Sequence, residues 1–229
     1  MTLGPASLRP LHRLILKRGI KKQDRILFID GKLQWKDKNF KHVRDGLRAS
    51  LREQQGERCI FCRRIVLVER KNSAEDIEHF LDKSKPHYRK WTFSPVNLAI
   101  ACSPCNLVKS TREMGDNAVV GARAYTSGMG QFRWLHPYFD DYHENIEVKR
   151  GWIYEVRSSA PNPVGAKTLI EDLQLDKIET IEARATKIRD HIYRLTVLAG
   201  KMASRGNIGM VIKLLAVSKK FQDDTWADY

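Results

Sequence analysis

The sequence predicts an α+β fold, and three observations carry that reading. All four cysteines lie in a loop-rich middle third as two Cys-x-x-Cys pairs. Apolar runs of strand length surround them, and helix-period patterns occupy the segments on either side.

Taken in order, residues 1 to 25 carry Gly4, Pro5 and Pro10 among basic residues and read as a partly ordered arm. "RILFIDGKLQW" follows, with Asp30-Gly31 as a turn signal between apolar runs, and predicts a short strand or hairpin. Val43, Leu47 and Leu51 recur at four-residue spacing, so a helix with one buried stripe is expected from Phe40 to about Gln55, ended by Gly56. "RRIVLVE" and "NLAIAC" read as strands, and "DIEHFLDKS" as a strand running into a loop. "CNLVKSTREM" begins a helix, and the glycine-rich stretch 115 to 131 reads as a long loop. "GWIYEVR" is a further strand candidate and "SSAPNPVGAK" marks a boundary. Asp176 with Glu179 resembles a capping box. From Ile178 to Met202, apolar residues alternate by three and four, predicting a long amphipathic helix that packs on its own domain. "GMVIKLLAVSKKF" predicts a last helix.

Composition narrows the class. No apolar run approaches the roughly 20 residues of a membrane helix, and hydrophobic residues at 42% beside charged residues at 30% suit a soluble chain with no membrane partner. A formal charge of +14 favours polyanions, nucleic acid first among them. The basic N-terminus lacks the apolar core and cleavage site of a secretory signal, so a cytoplasmic location is expected; a mitochondrial-type presequence is the competing reading.

Cys59-x-x-Cys62 and Cys102-x-x-Cys105 match the spacing of a structural tetrahedral zinc site, with disulfides as the alternative in a more oxidising compartment. About forty residues separate the pairs, against roughly 15 to 20 in a simple ribbon, so an insertion divides the site. Zinc held by four thiolates has no open position, so water activation requires a second metal.

Across residues 59 to 109, "AEDIEHF" and then "VNLAIACSPCNLVKS" resemble the HNH endonucleases of the ββα-metal class in the form braced by two Cys-x-x-Cys pairs. More narrowly, "IEHFLDKS", "NLAIACSPCNLVKS" and "AKTLIEDLQLDKIETIEAR" look like the PtuB-like HNH effectors of Septu and retron anti-phage defence systems. The chain as a whole then reads as a basic N-terminal arm and helix over 1–56, a zinc-braced core over 57–148 that the resemblance makes a ββα-metal nuclease, and a C-terminal helical region over 149–229. The resemblance implies metal-dependent hydrolysis of DNA leaving a 5′-phosphate and a 3′-hydroxyl, in complex with a PtuA-like ABC-type ATPase and, in retrons, a reverse transcriptase with its nucleic acid. RNA as substrate and a non-catalytic zinc module that binds nucleic acid are the alternatives.

By the same resemblance His79 is the general base, and Glu78 and Asn106 bind a catalytic Mg2+ or Mn2+. Asn97 braces the His79 loop and Lys109 contacts phosphate. Chemistry asks for such groups independently, since water must lose a proton and the departing alkoxide must be stabilised. Asn106 stands where the family often has histidine, and Glu78 where Asp is commoner. A regular strand sends Glu78 and His79 to opposite faces, which keeps Asp76 open as the alternative ligand. Lys85, Arg89 and Lys90, with His87 and Trp91, form a basic and aromatic cluster suited to nucleic acid. His136 and His143, flanking Asp140 and Asp141, read as a structural segment outside the catalytic set. The C-terminal amphipathic helices are the expected docking surface for the ATPase.

Overall fold

The computed structural model describes residues 3–66, 68–69, 72–73, 75–149 and 152–226, with backbone alone for 68–69, 72–73, 179–188 and 220–226. It divides into two compact units, one formed by residues up to 148 with 154–175, the other by 149–153 and 176 onward.

In the first unit the N-terminal segment is folded. Helices α1 (Arg13–Gly19) and α2 (Lys22–Ile29) replace the expected arm and hairpin. Leu8, Leu16 and Ile20 are buried, and the Leu8 and Tyr142 amides donate to Pro137 and Ala6 carbonyls respectively, tying residues 6–8 to the 137–142 segment. The Asp30-Gly31 pair caps a helix instead of turning a hairpin. Gly31 takes φ +78°, its amide bonds the Phe28 carbonyl, and the Lys32 amide bonds the Leu27 carbonyl. That pairing is the Schellman cap, for which Asp-Gly is as well suited as for a hairpin turn.

Helix α3 (Lys41–Gln55) forms as its spacing requires: Val43, Leu47, Leu51 and Gln55 are buried along one stripe, and Gly56 ends it in the left-handed region. Strands β1 (Val68–Glu69) and β2 (Asn72–Ser73) pair antiparallel. The central hairpin joins β3 (Glu75–His79) to β4 (Leu98–Cys102), Glu75 opposite Cys102 and His79 opposite Leu98. Helix α4 (Ser103–Lys109) follows directly, with Pro104 in its first turn.

Two contacts lock α3 to this hairpin. Buried Gln55 accepts from the Ile100 amide at 2.7 Å and donates to the Ile100 carbonyl at 2.9 Å, so its side chain pairs with β4 as a strand residue would. Arg52 and Arg48 meet the fully buried Glu75 carboxylate at 2.7 and 3.1 Å.

The rest of the unit wraps this centre. The 115–131 stretch contains α5 (Asn117–Gly121), and Asp116 staples it by accepting from the Val119 and Gln131 amides. Then come α6 (Tyr142–Asn145), the paired strands β5 (Ile146–Lys149) and β6 (Ile153–Val156), and α7 (Pro163–Asp172), capped by Asn162.

The second unit is a helical hairpin of α8 (Ile178–Ser204) and α9 (Ile208–Trp226). Gly206 at φ +73° closes α8 with a second Schellman cap, its amide on the Ala203 carbonyl and the Asn207 amide on Met202. The expected Asp176 cap is not used: Lys177 holds the N-cap position without a side-chain bond, and the Glu179 side chain lies outside the described residues. Ala199 and Ser218 are buried in the hairpin, while Tyr193, Ile208 and Ile212 are exposed. Among the described residues no helix is long and apolar enough to cross a membrane.

Candidate active site

The four cysteines converge. Cys59 and Cys62 sit in the turn after α3, closed by the Cys59 amide on Arg64 and the Arg63 amide on Cys59. Cys102 ends β4 and Cys105 lies in the first turn of α4, so the β4–α4 junction sets the second pair. All four sulfurs lie within 4.8 Å of one another, and Cys62 Sγ to Cys102 Sγ is 3.8 Å. Four thiolates at the zinc bond length of about 2.3 Å stand roughly 3.8 Å apart at the corners of a tetrahedron, so the donor set and its spacing are compatible with a structural zinc ion.

Burial pushes the Cys59 thiol up, but hydrogen bonds from Cys102, Cys105 and Cys62 outweigh it and bring the group well below its ordinary value. The sulfur contact with Cys102 is the main cause holding both Cys62 and Cys105 high. A dication at the centre of the four sulfurs would favour ionisation of all four thiols.

The end of β3, the loop after it and α4 border an open cleft of about 340 Å³, lined by Glu78, His79, Asp82, Lys83 and Asn106 among others. Helix α4 runs along one face of β3. Asn106 donates to Asp76 Oδ2 at 2.9 Å, and the Lys109 ammonium lies 2.5 Å from Glu78 Oε1 and 3.1 Å from the His79 carbonyl oxygen. Glu78 lines the cleft and Asp76 does not. Burial raises the Glu78 carboxyl above its ordinary value, with Lys109 opposing.

His79 is 2% exposed, and neither ring nitrogen has a hydrogen-bond partner. Burial first, then the Lys83 and Lys109 charges, hold its pKa well below 6.5; the Thr92 carbonyl opposes this without reaching hydrogen-bond geometry. The imidazole is therefore neutral near pH 7. Trp35 meets it edge-on at 4.9 Å between centroids. Glu78, Asp82 and Asn106 bring two carboxyl groups and an amide to the same cleft.

Asn97 fixes the loop that follows His79. Its Oδ1 accepts from the Leu81 amide at 2.7 Å, and its Nδ2 donates to the Leu81 and Trp91 carbonyls at 3.0 and 3.1 Å. Since the Phe80 amide already bonds the Asn97 carbonyl, the side chain extends the β3–β4 ladder past its backbone end. Behind it, Tyr125 donates to Asn97 Oδ1 at 3.1 Å and lies 3.1 Å from His136 Nε2. His136 Nδ1 accepts from the Tyr138 amide, so Nε2 carries the proton and donates to Tyr125.

No family model, curated protein or solved structure matches this chain. The site therefore rests on its own residues.

Of the residues singled out from sequence, Glu78, His79 and Asn106 meet at the cleft, with Asn97 and Lys109 beneath it. Lys109 is 1% exposed and faces Glu78 rather than solvent. Lys85 pairs with Glu113 at 2.8 Å, Lys90 donates to the Val120 and Ala122 carbonyls, and Arg89 lies over the Phe28 ring. His136 is wholly buried in an aromatic cluster, stacked on Phe139 at 4.0 Å, and His143 bonds the Gly4 carbonyl. Asp140 accepts from the His136 amide and Asp141 caps α6. Sequence reasoning missed Trp35 and Tyr125. Trp35 ends the stretch misread as a hairpin and Tyr125 sits in a glycine-rich loop, so no local signal tied either to the site.

Proposed function

We propose that this chain is a divalent-metal-dependent endonuclease of the HNH type that hydrolyses phosphodiester bonds in DNA. One observation carries the reading: His79, whose two ring nitrogens are buried without a hydrogen-bond partner, shares the lining of one cleft with Glu78 and Asn106, in a chain that also gathers four cysteines. Zinc at that cluster ties the turn after α3 to the β4–α4 junction and so sets where α4 lies along β3. It has no open position for chemistry.

In the reaction His79 takes the proton of the attacking water, for which its neutral state near pH 7 suits it. Glu78 and Asn106 would hold Mg2+ or Mn2+, which supplies stabilisation of the departing alkoxide. Lys109 holds the buried Glu78 carboxyl in place and opposes the burial that raises its pKa, and Asn97 sets the path of the chain after His79. The +14 charge supports a polyanionic substrate. The resemblance described above supports a role as effector of an anti-phage complex with an ABC-type ATPase partner.

The test is plasmid nicking with Mg2+ or Mn2+, with and without that ATPase. Wild type nicks, and His79→Ala loses at least a hundredfold in rate while still binding DNA. If wild type binds DNA yet leaves every substrate intact in all conditions, a non-catalytic zinc module is the correct reading.

A further inference from the structure

We propose that Lys36 and Lys83 form a phosphate-binding track on the rim of the cleft, seating the DNA backbone beside His79. The inference rests on the nuclease reading above and names how the same site takes its substrate.

Lys83 lines the cleft directly, four residues after His79. Among the described residues its ammonium has no carboxylate within ion-pair distance, although Glu78 and Asp82 lie close enough to attract it. Glu78 pairs with Lys109, and Asp82 accepts from the Ser84 amide at 2.9 Å and the Ser84 hydroxyl at 2.5 Å. Burial lowers the Lys83 pKa; Glu78 and Asp82 act against that, and Lys109 and Lys36 add a smaller repulsion. An ammonium on the cleft wall without a direct ion pair can reach a phosphodiester.

Lys36 reaches this position through a rigid anchor. Trp35 is buried against His79, Phe40 and Phe93. Arg44 of α3 clamps the turn by donating to the Trp35 carbonyl, to Asp37 at 2.9 Å and to Lys36 at 3.1 Å. The backbone of Lys36 is thus fixed while its side chain stays exposed. Fixed backbone with free ammonium suits a phosphodiester, which is recognised by charge and spacing instead of base identity.

Binding of a fluorescent 20-base-pair duplex to the zinc-loaded chain, without added Mg2+ or Mn2+, tests this by anisotropy across a salt series. Lys36→Gln and Lys83→Gln should each weaken binding about eightfold at 0.1 M salt and reduce the log–log salt slope by about 0.9, and the pair together by about 1.8. Lys36→Arg and Lys83→Arg should restore both. Exposed Lys201→Gln on α8 is the comparator; a loss there equal to the others overturns the track in favour of diffuse surface charge. Lys36 is solvent-exposed, so its variant folds even if Lys83→Gln does not. Nicking by the same variants with Mn2+ separates the two ideas. Cleavage that is indifferent to both Gln substitutions removes the track and keeps the nuclease. Binding that depends on Lys36 and Lys83 without cleavage in any condition keeps the track and removes the nuclease.

Discussion

Replacing Asn97 with Ala should cost about 3 to 5 kcal/mol of stability. Asn97 is 1% exposed and its side chain serves four groups: the Leu81 amide and carbonyl, the Trp91 carbonyl and the Tyr125 hydroxyl. A buried donor stripped of its acceptor costs about 1 to 3 kcal/mol. Two donors lose theirs here, the Leu81 amide and the Tyr125 hydroxyl. The carbonyls lose less, since an oxygen tolerates a missing partner better than an N–H. Urea unfolding of the zinc-loaded chain measures the loss, and a thermal scan should show a fall of roughly 6 to 20 °C. Hydrogen exchange localises it, with the Leu81 amide losing protection first. Asn97→Leu, similar in volume but without the bonds, should be as damaging. A loss below about 1 kcal/mol, or a Leu81 amide that stays protected, would refute the view that Asn97 holds this loop.

Other outcomes follow from the same contacts. Chelating zinc, or substituting Cys59→Ser, should release about one zinc per chain and unfold the first unit, read by metal content and circular dichroism. Lys109→Met strands the Glu78 carboxylate in a buried site and should cost about 3 to 5 kcal/mol in urea unfolding, and adding Glu78→Gln should recover most of it. His12, His79 and His136 are all held below 6.5, chiefly by burial. The unfolded chain therefore binds more protons than the folded one below about pH 6.5, so stability is full above that pH and falls as pH drops beneath it. Melting scans from pH 7.5 to 5 check the sign, and His12→Gln should flatten the slope. Gln55→Ala removes the side chain that pairs with Ile100 and should cost about 2 to 4 kcal/mol by urea unfolding, whereas Gln55→Glu should hurt by placing an acceptor against the Ile100 carbonyl.

Much of the fold was legible because its signals are local. Spacing of apolar residues gave α3 and α8, alternation and length gave β3 and β4, and Gly56 marked where α3 ends. The N-terminal segment was misread for an equally local reason. Asp-Gly serves both a tight hairpin and a Schellman cap, and the choice between them depends on whether Phe28 can be buried against Phe40 and Phe93. That is information from residues far along the chain.

Sequence order alone determined the chemistry on offer: two cysteine pairs, and a Glu-His and an Asn between and beside them. It could not set which charges meet. Tertiary structure decided that Glu78 turns to the cleft while Asp76 bonds Asn106, because α4 runs along β3 at a height fixed by the Cys102–Cys105 turn. It also buried Lys109 on Glu78, and brought Trp35 from the N-terminal segment to the edge of His79. Electrostatics and packing act through space, and in this chain the groups that govern His79 are separated from it by as much as 44 residues, the gap from Trp35 to His79.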